Sequence, residues 1–309
     1  MRNIPKTKLT QLYVTQPDTL VNFLLSKMGG MSRNSICLML GHRQVSVDGV
    51  IQTRFDYQLQ EGNVIQITTG VVAKELTHPK LKIIYEDDYL IVVEKKPGLL
   101  TVATHPDSHE VTCFSILKNY VRQKNARAGI YVVHRLDRET SGLLVFAKSQ
   151  DLQHYMRDYW RELVTKRTYI AVAEGFFEQK EGRIVTWLTE DDETRMVYSS
   201  PVDDGGKMAV TNYTVLKETE LPAKTPGEEG KRYSLVELNL ETGRKNQIRV
   251  HLTGMGHPIA GDRKYGNGDN TAIDRLALHA RILEFIHPVT EQTVHFETVI
   301  PYEFSRIFK

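Results

Sequence analysis

Apolar residues change their spacing along the chain at about residue 80. Before that point Leu20, Phe23, Leu24 and Met28 recur with helical period, with Asp18 ahead of them as a cap and Gly29-Gly30 behind as a stop. Ser32 opens a second helix that ends near Gly41. The stretch VSVDGVIQT then alternates apolar and polar residues on both sides of Asp48-Gly49, which predicts a tight hairpin. Glu61-Gly62 turns the chain into a last strand, Val64 to Ile67. Residues 18–69 therefore read as a compact unit, preceded by an extension over 1–17 and followed by a linker over 70–80, where no period is visible.

From Leu81 onward short strand patterns dominate: LKIIYED, YLIVVEK, GLLVFAK, RTYIAVAEG, YSLVELNLE and RLALHARILEF. One long helix interrupts them, SQDLQHYMRDYWRELVTK, with Leu152, Tyr155, Met156, Tyr159 and Leu163 on one face and Ser149 or Asp151 as its cap. The polar stretch 216–232, rich in Pro and Gly, predicts a hairpin tip. Strands with few regular helices between them favour an α+β fold with a mixed, largely antiparallel sheet over 81–309, joined to a small α/β unit.

Composition adds limits. The 309 residues carry 40 Lys and Arg against 38 Asp and Glu, a net charge of +2, which excludes binding a polyanion through bulk charge. The acid is concentrated, however. Residues 174–230 hold thirteen acidic and six basic side chains, so everything outside them sums to +9. A basic face lined by residues 118–135 and 244–264, with the acidic hairpin region turned away, is the expectation. Cys37 and Cys113 are too few for a disulfide framework or a cysteine-rich zinc site. No apolar run reaches a bilayer span, so a cytoplasmic protein without membrane contact is expected, and a monomer.

Two clusters could carry chemistry. In YVVHRLDRETSGLLVFAK (131–148), His134, Arg135 and Asp137 enter a turn made by Glu139 to Gly142, held between two apolar strands. Asp137 and Thr140 could equally well satisfy the turn's own backbone. In ETGRKNQIRVHLTGMGHPIAGDRKYG (241–266), Ile248, Leu252 and Met255 fit a helix capped by Thr242 and stopped by Gly256-His257-Pro258. Arg249 stands between Ile248 and Val250, so it is expected to be partly buried and to need a carboxylate partner.

At these clusters the chain resembles a known family. HRLDRETSGLLVFAK is similar to the active-site motif of the RluA-family pseudouridine synthases. EDDYLIVVEKKPGLLTV (86–102), KRTYIAVAEG (166–175) and TGRKNQIRVHL…GHPIAGDRKYG followed by RLALHARILEFIHP (275–288) agree with it in chain order. Residues 18–69, with Ser-Arg at the second helix start and V-x-V-D-G in the hairpin, resemble the small RNA-binding module named after ribosomal protein S-four. Ser35-Ile36-Cys37 departs from that module's more basic helix.

The resemblance implies the pseudouridine synthase fold, with Asp137 as catalytic carboxylate, Tyr169 against the target base and Arg249 as ion-pair partner of Asp137. It further implies Arg135 filling the space left by the extruded base and Leu240 as an apolar neighbour of the site. His134, Arg244 and Gln247 fall on the RNA-binding side. Asn246 stands where the family more often has histidine, and its amide can still donate and accept hydrogen bonds. The implied reaction is an isomerisation of uridine that consumes nothing, so no cofactor is expected. The implied partner is RNA, with large-subunit ribosomal RNA favoured over transfer RNA. Two other readings stay open here. A metal site built from His134, His251 and His279 matches no standard zinc spacing. A non-catalytic RNA-binding or ribosome-assembly protein of the same fold would be expected to lack the aspartate, tyrosine or arginine, and all three are present.

Overall fold

The computed structural model describes residues 8–41, 44–52, 54–69, 76–105, 107–223, 229–267 and 272–309. Two compact units divide the chain, Met1–Glu75 and Leu76–Lys309. Residues 70–75 of the expected linker lie outside the described set.

In the smaller unit the helices Leu20–Lys27 and Arg33–Gly41 lie with a four-stranded sheet, ordered 8–13, 64–69, 45–47, 50–51. Leu20, Leu24, Ile36, Val45, Ile65 and Ile67 are fully buried between them. The hairpin turn falls where Asp48-Gly49 put it, with φ of 49° and 80°. Ser32 accepts the Ser35 amide at 3.2 Å, as a cap should. Two details differ from the sequence reading. Asp18 is not a cap: its Oδ1 takes the amide of Thr19 at 2.7 Å, and Asp18–Thr19 pairs with Gln58–Leu59. The strand Lys8–Tyr13, inside the expected extension, pairs along its length with Val64–Thr69 and so belongs to the unit.

The larger unit is built on an eleven-stranded sheet. Its main path runs 197–200, 181–190, 207–221, 231–240, 164–174, 278–286, 141–147, 90–95, 81–86. Among the described strands one pair is parallel, Ser141–Ala147 with Leu278–Ile286, so the sheet is mixed and largely antiparallel as expected. All seven residues of Ser141–Ala147 are buried, the mark of a strand covered on both faces. Gly142 makes its parallel contact possible. It has φ of 118°, and a Cβ there would stand 2.1 Å from the Ala280 carbonyl oxygen. The strands Lys207–Leu221 and Lys231–Leu240 pair from Leu221↔Lys231 inward, so the polar stretch does contain a hairpin tip, shorter than 216–232.

Helices differ more. The run from Ser149 is split: Gln150–Asp158 is capped by the Ser149 side chain, Trp160–Leu163 is a second short helix, and Val164 already begins a strand. β-branched Val164 and Thr165 favour the extended pairing with 278–286 over another helical turn. Tyr155 and Tyr159 do not join an apolar face; they are 44% and 51% exposed. A helix absent from the sequence reading, Cys113–Lys124, starts at a capping box of Thr112 and Ser115 and buries Cys113, Leu117, Tyr120 and Val121. No helix among the described residues is long and apolar enough to cross a membrane.

Two buried histidines tie strands and helix together. His279 bridges Ser141 and Thr298 at 2.8 Å on each side, and His251 bridges Thr186 and Thr211 at 2.9 Å. Burial pushes their pKa down to about 3 and about 4, so both are neutral in the folded protein. Each must gain a proton on unfolding below the ordinary histidine value of about 6.5. Their contribution is whole above that pH and is lost as the pH falls toward 3–4. Between about pH 5.5 and 4.5 these two should make the unfolding free energy drop by about 2–3 kcal/mol per pH unit. Urea unfolding across that range measures the slope, and a flat profile would contradict the assignment.

Candidate active site

Asp137 lies in the loop that leads into the buried 141–147 strand, and the backbone on both sides of it is clamped. On one side Thr101 Oγ1 donates to the Leu136 carbonyl at 2.8 Å and accepts the Leu136 amide at 3.1 Å. On the other, the Arg138 carbonyl accepts from Lys95 Nζ and from the Gly98 amide, both at 2.9 Å. Lys95 is fully buried and also donates to the carbonyls of Leu99 and Lys96, at 2.8 and 3.2 Å. Burial depresses its pKa to about 8. The buried side chain of Leu136 fixes the loop from below, which leaves Asp137 facing outward.

The side chain of Asp137 is held by one oxygen. Oδ2 accepts from Asn246 Nδ2 at 2.5 Å and from Arg249 Nη1 at 3.4 Å. Among the described residues nothing is bonded to Oδ1, and 38% of the side chain is exposed. Asn246 can point its amide here because it adopts a left-handed conformation, φ 53°, as the residue before the helix Gln247–Gly254. The Tyr265 hydroxyl donates to Asn246 Oδ1 at 3.0 Å and accepts the Val197 amide at 3.0 Å, so the amide's orientation is set from behind. Thr242 is not the helix cap: its hydroxyl accepts the Val210 amide and donates to Gln247.

Arg249 does contact Asp137, as expected, but its principal partner is Asp262. Nε and Nη2 make a two-pronged pair with the Asp262 carboxylate, 2.7 Å each, and the Asp262 side chain is fully buried. Burial acts to raise the pKa of Asp262. The Arg249 hydrogen bonds and charge, with the amides of Tyr265 and Lys264, outweigh it and hold the carboxyl below its usual value. Burial likewise works against the Arg249 charge, and Asp262 and then Asp137 reverse that, raising its pKa. The guanidinium also lies 5.0 Å over the Tyr265 ring.

Asp137 and Arg249 line a cleft of about 1010 Å³, and the six other residues singled out from sequence line it too: Tyr169, Arg135, His134, Leu240, Arg244 and Gln247. Their environments differ. The Tyr169 phenol is pushed to higher pKa by burial, so it stays protonated. Arg135 is exposed, and Leu240 supplies a half-buried apolar wall. Gln247 is not free to bind RNA. Its oxygen accepts from Thr242 and the Arg244 amide, and its nitrogen donates to Val210 and Thr211, which uses all of its capacity inside the scaffold. His134 offers no charge either. Its Nε2 accepts the Val145 amide at 3.1 Å, and burial, then the Arg167 charge, push its pKa down to about 3. Arg244 is tied through Nε to the Met208 carbonyl at 3.1 Å.

Lys245 lines the cleft from the expected stretch 244–264, but the remaining basic residues come from elsewhere. Of the stretch 118–135 only 132–135 reach it, whereas Arg157, Arg161 and Arg167 line it from the split helix and the strand after it. No residue from 174–230, the acidic region, is among the lining. The histidines considered as metal ligands are each occupied by local partners, and among the described residues no group of three or more His, Cys, Asp or Glu could hold a metal ion. Asp262 and Tyr265 were missed as site residues, although the string GDRKYG holds both. The expected burial of Arg249 was the available signal that a second carboxylate was needed.

The chain is similar to known proteins. The chain is 37% identical over 235 residues to the uncharacterized RNA pseudouridine synthase YhcT of Bacillus subtilis, covering 74% of this chain and 71% of that one. It is 33% identical to tRNA pseudouridine synthase C of Haemophilus ducreyi, covering 74% and 95%. The solved structure of human RNA pseudouridylate synthase domain containing 1 superposes with a TM-score of 0.56 at 25% identity, over 76% of this chain and 87% of that one. With the sequence profile described as RNA pseudouridylate synthase also matching residues 89–253, this chain belongs to the RNA pseudouridylate synthase family.

Proposed function

We propose that the protein converts specific uridines to pseudouridine in structured RNA, with Asp137 as its catalytic carboxylate and Tyr169 in contact with the flipped base. The carrying observation is the Asp137 side chain, which lines the cleft and is anchored through Oδ2 by Asn246 and Arg249, with Oδ1 unbonded among the described residues. The reaction breaks the bond from N1 of uracil to C1′ of ribose, turns the base and joins C5 to C1′. It is redox-neutral and moves no group between molecules, so its stoichiometry calls for no cofactor. Attack on the base, attack on the sugar and removal of a ribose proton are the routes open to one carboxylate, and each uses the free oxygen. Flipping the uridine out of its stack costs a few kcal/mol, least in loops and at helix ends. Contact with Tyr169 offsets part of that cost, and Arg135, an exposed lining residue, fills the gap left behind.

Large-subunit ribosomal RNA is the proposed substrate, with the unit around residues 18–69 as an RNA-binding module of the S-four type. Its helix–helix–hairpin order supports that reading. Transfer RNA is the second reading, favoured by the near-complete coverage of a relative named as a transfer-RNA enzyme.

Asp137→Asn should cut tritium release from [5-³H]uridine-labelled RNA by about 10³-fold or more while leaving RNA binding nearly intact. Wild-type-like release would overturn the assignment. Tyr265→Phe keeps the ring under Arg249 but frees the Asn246 amide. It should lower kcat by about 5- to 10-fold, roughly 1 kcal/mol, with KM unchanged; an unchanged kcat would remove Tyr265 from the site. Pseudouridine mapping of ribosomal and transfer RNA from cells lacking the protein decides the substrate. Loss at ribosomal positions alone is expected, and loss confined to transfer RNA selects the second reading.

A further inference from the structure

Arg167 stands two residues before Tyr169 in the strand 164–174. Both side chains line the cleft, while Thr168 between them is fully buried and does not. Two residues along a strand span about 6–7 Å. The guanidinium rests 6.0 Å above the Trp160 ring, and the His134 ring packs on the same indole at 4.8 Å. It also meets Gly243, where an added Cβ would stand 2.8 Å from Nη1. Its titratable neighbours, His134 and Tyr169, are both uncharged, because burial lowers the pKa of one and raises that of the other.

Among the described residues no carboxylate pairs with Arg167 and no side-chain hydrogen bond reaches it, in contrast with Arg249 on Asp262 and Arg244 on the Met208 carbonyl. Burial also works against its charge. A cation drawn partly out of water without an anion is costly unless one arrives from outside. The indole pins the guanidinium in place without neutralising it. Arg167 itself lines the cleft, so an anion can reach it from there.

We propose that Arg167 binds a backbone phosphate of the RNA next to the flipped uridine, so that one strand reads base and phosphate through Tyr169 and Arg167. The proposal rests on the reading of Asp137 and Tyr169 given above. A planar fork of N–H donors suits two phosphate oxygens. The spacing of the two side chains is comparable with that between a base and the phosphate of its own nucleotide. Gly243 leaves the fork its room: a methyl there displaces a flexible guanidinium tip and not the backbone.

The test uses [5-³H]uridine transcripts of ribosomal and transfer RNA, with turnover followed by tritium release. Binding is measured as a function of KCl in an Asp137→Asn background, so that it does not depend on turnover. Arg167→Gln should lower kcat/KM by about 10- to 100-fold and make the slope of log affinity against log salt shallower by about 0.7, the share of one single-strand phosphate. Arg167→Lys keeps the charge, so it should keep the slope and recover only part of the rate. Gly243→Ala should lower kcat/KM, and combined with Arg167→Gln it should add nothing. A wild-type salt slope for Arg167→Gln in folded protein overturns the proposal, as does an additive loss with Gly243→Ala. Turnover that survives in Asp137→Asn overturns the catalytic reading instead and leaves the slope comparison valid.

Discussion

The buried pair between Arg249 and Asp262 is the interaction on which the site depends. Arg249 comes from the helix 247–254 and Asp262 from the loop that follows it, and the two-pronged contact holds the guanidinium in one plane with a single nitrogen left over. That nitrogen faces Asp137. A guanidinium fixed in this way provides positive charge beside the Asp137 carboxylate without being consumed by it. Were Asp137 the sole partner of Arg249, a closer and more complete pair would form and little of the carboxylate would remain for chemistry. Burying the charge of Arg249 has a large desolvation cost, and the fully buried Asp262, supported by the amides of Lys264 and Tyr265, offsets it.

A second constraint acts from the sheet. The seven buried residues of Ser141–Ala147 fix one end of the Asp137 loop, and Thr101 with Lys95 fixes its two flanks. Three separate stretches of sequence, 95–101, 136–142 and 246–265, therefore meet at one carboxylate. Rigidity on every side allows a half-exposed Asp137 to hold a defined position. The walls next to Asp137 are polar: His134 and Tyr169 are kept uncharged and Gln247 is saturated. The remaining charged lining is of both signs, with Arg135, Arg157, Arg161 and Arg167 beside Asp158, Glu162 and Glu241.

Much of this was legible in the sequence, and the failures have physical causes. Strands of the larger unit showed as apolar runs, and the hairpin at Asp48-Gly49 followed from a local turn preference. The eight residues named from sequence all line one cleft, because the motifs that carry them are short and local. The split at Tyr159 was not readable: helical period continues through it, and pairing of Val164 onward with 278–286 decides where the strand begins. The helix Cys113–Lys124 was missed although Thr112 and Ser115 gave a cap signal. Gln247 was read as a contact for RNA because residue type alone does not reveal that Thr242, Arg244, Val210 and Thr211 already use all of its hydrogen-bonding capacity. Asp262 escaped notice for a related reason. Asp137 satisfied the requirement for one carboxylate, so the expected burial of Arg249 did not prompt a search for a second.

The geometry predicts that Asp262 affects catalysis through Arg249 and not through folding alone. A double-mutant cycle on kcat/KM measures it directly, comparing Arg249→Lys, Asp262→Asn and the double variant at a temperature where all three are folded. If Arg249 carries the effect of Asp262, the double variant should be no worse than the more damaged single variant, with a coupling energy of about 1–3 kcal/mol. Losses that multiply, with no coupling, would show that the two residues act independently and would contradict a role of Asp262 through Arg249.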